Sequence, residues 1–446
     1  MLKRLFGFDP ATHSVRTEIM AGLTTFFAMA YILAVNPGIF SALEFQGMPS
    51  GAVFTTTALV AVIGTLVMAL YAKKPFALAP GMGLNAFFVY TVCLGMGHSW
   101  RFALTAIFLE GIILIILTLT KVRQRIVDAI PLNLRHAIGA GIGLYIAFIG
   151  LKNGGIVVAD ETTLVHLGDI CHGSALLAAI GIVVTAVLYI LRVPGNILIG
   201  IIATALLGML PVWQIAGADG TVTHGALTTF EQVVDLPPSV APIFCQFQWS
   251  EVFTFDMVVV LFTFLFVDMF DTMGTVIGVS QKAGMVRPDG NIDGITKIFM
   301  TDAVATTCGA CLGSSTMSTY VESAAGVGAG GRTGLTAFST ACCFIVALFF
   351  APVFTHIPSA ATTAALVVVG LMMLGPIKQI DLDDFSESVP AFLTIILMPL
   401  CYSISDGILI GIIAYVLINA LSGKAKKIPV TMWILAVLFV LRYLLL

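Results

Sequence analysis

Apolar stretches the length of a membrane crossing recur along the whole chain, separated by short polar connections. Runs free of Asp, Glu, Lys and Arg cover Ile19 to Leu43, Phe45 to Ala72, Pro75 to Trp100, Ala303 to Val321 and Thr333 to Pro352. A helix needs about 20 apolar residues to cross the hydrocarbon core, whereas a membrane barrel would show short segments alternating with period two. The runs do not alternate in that way. The pattern predicts an all-α polytopic membrane protein with fourteen spans, near 17–36, 51–71, 76–94, 101–120, 131–151, 173–191, 195–213, 253–280, 296–312, 314–330, 333–354, 358–376, 388–403 and 404–422. One more stretch, Thr431 to Leu446, is apolar enough to span. If it does, 388–422 becomes a single crossing kinked at Pro399.

Two spans carry clustered helix breakers: Pro75, Pro80, Gly81 and Gly83 in the third, and Gly326, Gly328, Gly330 and Gly331 in the tenth. Irregular backbone at membrane depth is tolerated only where it lines a cavity, and half-helix N-termini left there offer free N–H groups to a ligand. Broken helices are therefore expected at spans 3 and 10, although any one glycine can equally serve close helix packing. A faint internal repeat puts the two spans in corresponding positions. Phe54-Thr-Thr-Thr-Ala58 with Gly64 recurs 245 residues later as Phe299-Met-Thr-Asp-Ala303 with Gly309, and the same offset carries Gly81 and Gly83 onto Gly326 and Gly328. Ile130-Pro131, Ala137 and Gly143 recur as Ile357-Pro358, Ala364 and Gly370 at an offset of 227. Many transporters are built from inverted halves of this kind, so a 7+7 inverted repeat is expected.

Composition removes the soluble alternatives. Of the 446 residues, 59% are apolar and 10% charged, against roughly 25% charged in soluble domains. A net charge of −3 leaves no footprint for nucleic acid, and membrane lipid is the expected surrounding. Basic residues gather in every second connection: Lys3 and Arg4, Lys73 and Lys74, Lys121 with Arg123 and Arg125, Arg192, Lys282 and Arg287, Arg332, Lys378, and Lys424 with Lys426 and Lys427. Glu44, Asp160, Glu161, Asp219, Glu231 and Asp235 occupy the others, so both termini are expected in the cytoplasm of a cell that carries the protein in its plasma or inner membrane. The eight cysteines lie mostly in apolar runs and form no disulfide framework. Cys308 and Cys311 make a C-x-x-C with no second pair and no nearby His, which reads as packing rather than a metal site.

Charges inside spans are few: Glu110, Asp268, Asp271, Glu322 and Asp406, with the polar Asn85 beside the first glycine pair. Intramembrane carboxylates cost several kcal/mol unless neutralised or paired, so their default reading is functional. Asp268 and Asp271, three residues apart, share a helix face, and Glu322 lies four residues before Gly326. Together they are placed to ring one pocket. Glu110 and Asp406, each alone on its helix, read as structural hydrogen-bond partners. Gly81-Met-Gly-Leu-Asn-Ala86 imitates a dinucleotide fingerprint and Gly326-x4-Gly331-Arg-Thr333 a phosphate loop, but neither follows a strand in the required context and the second lacks the lysine.

Five motifs in order carry a resemblance: Arg16-Thr-Glu-Ile-Met-Ala-Gly-Leu-Thr-Thr-Phe26, Val35-Asn-Pro37, Ala79-Pro-Gly-Met-Gly-Leu-Asn-Ala-Phe-Phe88, Phe270-Asp-Thr-Met-Gly274 and Thr319-Tyr-Val-Glu-Ser-Ala-Ala-Gly-Val-x2-Gly-Gly-Arg-Thr-Gly334. They resemble the azaguanine-type purine permeases among the nucleobase-cation symporters, over almost the entire chain. The resemblance implies a core domain made of 1–125 (spans 1–4) and 251–356 (spans 8–11). It implies a gate domain made of 126–215 (spans 5–7) and 357–446 (spans 12–14 and the C-terminal apolar segment), with 216–250 as an extracytoplasmic loop. It also implies import of adenine, guanine or hypoxanthine by proton symport, with the proton as coupling ion and no cofactor or metal. Family substrate positions fall on Gly83 and Asn85, on Asp271 and on Glu322, and Gly326 joins them through the repeat. Asp271 is expected to contact the purine, Asp268 to handle the proton, and Glu322 is the third acid able to carry it. Phe87, Phe88 and Phe270 are available for stacking. The rival classes are an uncoupled nucleobase channel and a membrane hydrolase, the latter weakened because all seven His fall near span ends or in loops. Oligomeric state is not set by the sequence, and a homodimer stays open.

Overall fold

The computed structural model describes residues 2–120, 130–160, 162–216, 222–228, 232–285 and 292–445. Lys121, Arg123, Arg125, Arg287, Glu161, Asp219 and Glu231 of the connections lie outside them. Among the described residues, nine helices are long and apolar enough to cross a membrane, with four shorter apolar helices beside them. Their outer faces are apolar as well: Val183 and Ile190 are 62% and 75% exposed, a surface suited to lipid and not to water.

The first crossing is α1 (Val15–Met29) and α2 (Ile32–Phe40), with Ala30 and Tyr31 between them. It is followed by α3 (Ser50–Val67), strand β1 (Leu78–Pro80) and the short α4 (Met82–Ala86), which continues as a wider-wound helix to Gly95. Next come α5 (Trp100–Leu119), α6 (Leu132–Asn153), α7 (Gly173–Ile190) and α8 (Asn196–Gly208). Hairpins of β2 (Val157–Asp160) with β3 (Leu164–Leu167), and of β4 (Trp213–Ala216) with β5 (Val222–Gly225), sit in connections. The second half runs α9 (Phe255–Lys282), α10 (Ile295–Leu312), β6 (Met317–Thr319), α11 (Ser323–Gly328), α12 (Gly334–Ala347) and α13 (Ser359–Met373). It closes with α14 (Phe385–Leu400), α15 (Ile404–Leu421) and α16 (Val430–Leu445). Side-chain oxygens of Ser99, Thr333, Asp384 and Ser403 accept the first free backbone N–H groups of α5, α12, α14 and α15, which is why those helices begin there.

The segment 388–422 is two helices, not one kinked crossing. They turn at 401–403, where Tyr402 adopts φ +55. Lys424 Nζ bonds Asp384 Oδ2 at 2.8 Å and holds that carboxyl down at about 2, so the tie between the end of α15 and the start of α14 is lost only in strong acid. The apolar C-terminal stretch forms its own helix and returns along α15, with the Tyr443 hydroxyl donating to Asp406 Oδ1 at 3.0 Å.

At the centre, β1 and β6 pair antiparallel, Leu78 opposite Thr319 and Pro80 opposite Met317. Three-residue strands buried in a bundle leave outer backbone groups that water cannot reach. Threonines on flanking helices serve them in the same manner on both sides. Thr65 Oγ1 accepts from Leu78 N at 3.0 Å and lies 3.2 Å from Leu78 O; Thr306 Oγ1 accepts from Met317 N at 3.1 Å and lies 3.2 Å from Met317 O.

Spans 3 and 10 are thus both broken, but the tenth breaks before Glu322 and not at its glycines. Gly326 lies inside α11, where a Cβ would collide with Thr25 Oγ1 and the Ala21 carbonyl of α1. Gly83 lies inside α4, where a Cβ would sit 2.6 Å from Ile142 Cγ2 of α6. Close packing, not unwinding, demands both glycines. The repeat offset of 245 fits the starts of α3 and α10 at Ser50 and Ile295, but not the glycine pairs, since Gly81 precedes α4 while Gly326 is near the end of α11. The phosphate-loop imitation cradles a carboxylate instead: buried Glu18 accepts from Arg332 N at 3.1 Å, Thr333 N at 3.2 Å and Thr336 Oγ1 at 2.5 Å.

Candidate functional site

Beside the strand crossing lies a cavity of about 360 Å³. One wall is formed by Tyr31, Gly83, Asp271, Ser318, Tyr320 and Glu322, brought together from α2's start, α4, α9, β6 and the residues preceding α11. The facing wall comes from α6 and α13, through Arg135, His136, Ile142, Val369 and Met373. The Tyr31 hydroxyl donates to Glu322 Oε1 at 2.6 Å. Ser318 stands beside the Asp271 carboxyl on this wall. Tyr320 presents its ring to the cavity while its hydroxyl donates to the Pro80 carbonyl at 2.6 Å. Two acids, one of them held by a tyrosine hydroxyl, between aromatic and aliphatic surfaces make a site for a flat, neutral solute rich in N–H groups.

Of the residues expected at the site, Gly83, Asp271 and Glu322 line this cavity and Asn85, Gly326 and Asp268 do not. Asn85 is fully buried and its Oδ1 accepts from Ser315 Oγ, in the segment leading into β6. Gly326 faces α1. Asp268 meets Thr272, whose Oγ1 lies 3.3 Å from Asp268 Oδ1 and 3.1 Å from Asp302 Oδ2, all three side chains being fully buried between α9 and α10. Phe87 packs edge-on against Phe264 and Phe88 against Phe40, so both are core; the Phe270 side chain lies outside the described residues. Glu110 accepts from Thr316 Oγ1 at 2.7 Å, and Asp406 from Tyr443, as structural partners.

Sequence reasoning passed over Tyr31, Ser318, Tyr320 and Asp302. The three hydroxyl residues sit in charge-free runs and carry no signal of their own. Asp302 did carry one, an acid well inside the ninth span and within the repeated motif.

The cavity reaches the surface at Leu132, 58% exposed, at the start of α6. Towards the other end of α6 a cluster of tyrosines packs together. Tyr402 meets Tyr90 and Tyr145 edge-on at 5.6 and 5.7 Å, Lys152 Nζ lies 4.6 Å over the Tyr402 ring, and Asn153 Nδ2 donates to the Tyr90 hydroxyl at 2.8 Å.

A family model described as "Permease family", Xan_ur_permease, matches residues 16–410. The chain belongs to that permease family. It is an integral membrane transport protein and not an enzyme. The Guanine/hypoxanthine permease PbuG of Bacillus subtilis is 42% identical over 451 residues, covering 99% of both chains. The Adenine permease AdeQ of Escherichia coli is 38% identical over 444 residues, 100% of this chain and 96% of that one. Among solved structures, the transmembrane domain of a cyanobacterium bicarbonate transporter, BicA, superposes with a TM-score of 0.63 at 14% identity, covering 89% of this permease and 97% of that chain. At that identity the likeness speaks for the fold alone.

Proposed function

We propose that this permease imports purine nucleobases by proton symport, moving the site between the two membrane faces by alternating access. The observation that carries the reading is the pair Asp271 and Glu322 on one wall of an otherwise largely apolar cavity. A purine edge alternates donors and acceptors that two carboxyls can read, while Tyr320 and the aliphatic wall hold its faces. The names of the Bacillus subtilis and Escherichia coli relatives, guanine/hypoxanthine and adenine permeases, support the same substrate class.

The architecture behind this is a fourteen-span, 7+7 inverted repeat followed by α16, with a core domain (1–125 and 251–356) and a gate domain (126–215 and 357–446) meeting at the cavity. Three reciprocal features support it. Thr65 serves β1 as Thr306 serves β6. Gly143 and Gly370, the pair matched at offset 227, abut each other, each lying where the other's Cβ would strike its carbonyl. And α7 packs on α13 as α14 packs on α6. The cavity's reach to exposed Leu132 at the start of α6, with the packed Tyr90, Tyr145 and Tyr402 cluster towards that helix's other end, supports alternating access.

For the proton, Asp268, Thr272 and Asp302 form the store. A hydroxyl has a single proton to donate, so Thr272 can satisfy only one of its two carboxyl contacts. The second becomes a hydrogen bond when the other acid is protonated and donates to Thr272 Oγ1.

Uptake of labelled adenine, guanine, hypoxanthine and uracil in cells lacking their own permeases tests the function. Purine uptake should rise at acidic external pH and collapse with a protonophore. Protonophore-insensitive uptake that never exceeds equilibrium would leave an uncoupled channel, and absence of purine uptake would sink the substrate class. The proposed orientation has the N-terminus and Lys424 in the cytoplasm under the fourteen-span reading; because α16 runs back along α15 to bring Tyr443 onto Asp406, the chain end itself lies towards the opposite face, against the expectation of two cytoplasmic termini. Single reporter cysteines near Lys73 and Lys424 should be shielded from an impermeant thiol reagent in intact cells, while ones near Asp160 and Asp235 should react. Labelling at 424 from outside would reverse the assignment of the last crossings.

A further inference from the structure

We propose that Tyr31 sets the purine class of this site: by holding Glu322 as a hydrogen-bond acceptor, it makes the cavity select 6-oxopurines over adenine. The inference rests on the purine reading above and adds a specificity determinant to it. Tyr31 is 1% exposed, lines the cavity, and donates its only hydroxyl proton to Glu322 Oε1 at 2.6 Å. Asp271 has the Ser318 hydroxyl beside it on the same wall. Tyr320 is turned elsewhere, its proton committed to the Pro80 carbonyl. The protons of both tyrosine hydroxyls at this wall are therefore in use, and what Glu322 presents to a solute beside Tyr31 is acceptor capacity.

Hypoxanthine and guanine carry a ring N–H at N1, and guanine adds an exocyclic amine beside it. Adenine's six-membered ring has no N–H: its N1 and N3 are lone pairs, so beside the imidazole N–H that all three bases share only its exocyclic amine donates. A carboxylate set against a ring lone pair opposes two acceptors in a desolvated site, and selection by such unmatched polar groups is far steeper than selection by size. A protonated Glu322 could donate to adenine N1 and reverse the preference. The Tyr31 donor works against that form, because hydrogen bonds to an ionised acceptor are roughly twice as strong as those to a neutral one. Tyr31 is a positioning residue in this scheme, acting through Glu322.

The test is equilibrium binding of radiolabelled hypoxanthine to the purified full-length protein, competed by unlabelled guanine and adenine. Wild type should favour hypoxanthine and guanine over adenine by about tenfold or more, a ratio of the size one charged hydrogen bond supplies. Tyr31→Phe should bring the ratio towards one as adenine gains. Tyr415→Phe, at a buried tyrosine of α15 that does not line the cavity, should leave the wild-type ratio. Equal or tighter adenine binding by wild type overturns the inference, as does a Tyr31→Phe protein that binds purines with an unchanged ratio. Should Tyr31→Phe fail to fold, the wild-type ratio and Ser318→Ala, expected to shift it in the same direction, decide the matter. A wild-type protein that binds none of the three bases overturns the purine reading, and this inference with it.

Discussion

Glu322→Gln should abolish most purine binding while leaving the protein folded, and Asp271→Asn should do the same. Each replacement is isosteric, and at position 322 the amide oxygen can still accept from Tyr31, so that supporting hydrogen bond survives. What is lost is a charged acceptor facing the solute. A hydrogen bond to a charged group contributes about 1.5–3 kcal/mol, which corresponds to a loss of about 10- to 150-fold in affinity. Scintillation proximity binding in detergent, beside a thermal melt to establish folding, measures both quantities. Asn85→Ala should cost less, since Asn85 reaches the cavity only through Ser315 and the strand it leads into. Wild-type affinity in both acid variants would move the site out of this cavity.

Asp268→Asn should bind purine and exchange it across the membrane but lose uphill accumulation. Asparagine keeps the size of the side chain and a group able to contact Thr272, yet cannot take up and release a proton. Asp302→Asn should behave alike, because Thr272 makes the two acids one unit. The contrast with Asp271→Asn is what carries weight: two acids three residues apart on α9, one on the cavity wall and one on the α10 side, are expected to separate coupling from binding. Proteoliposomes with an imposed pH gradient distinguish the two phenotypes. Accumulation by Asp268→Asn that remained sensitive to a protonophore would remove this residue from the proton path.

Much of this protein is legible from residues alone, and the reason differs with the feature. Lipid demands long apolar helices, so the helix order and the near positions of the spans follow from hydropathy. Membrane burial makes each charge expensive, so the acids stand out without any alignment, and Asp271 and Glu322 were found that way. The third span's break at Pro75–Gly81 was legible because proline and glycine interrupt a helix by local chemistry. The tenth span's break is not legible in that way: residues 314–319, rich in Ser and Thr, hold no proline, and their extended form depends on pairing with β1 and on Thr306.

What only the tertiary structure decided is which polar groups meet. Gly326 serves contact with α1, Asn85 is engaged by Ser315, and the Asp268 carboxyl turns towards Asp302 on another helix. Tyr31 lies 291 residues from the Glu322 it holds, with nothing in its apolar surroundings to announce the contact. Composition and period are local properties and determine that a segment crosses the membrane and which residues are costly there. The direction of a side chain within a bundle is set by the helices that close around it, and that is where the acid-bearing wall of this cavity, the wall facing it and the tyrosine cluster came from.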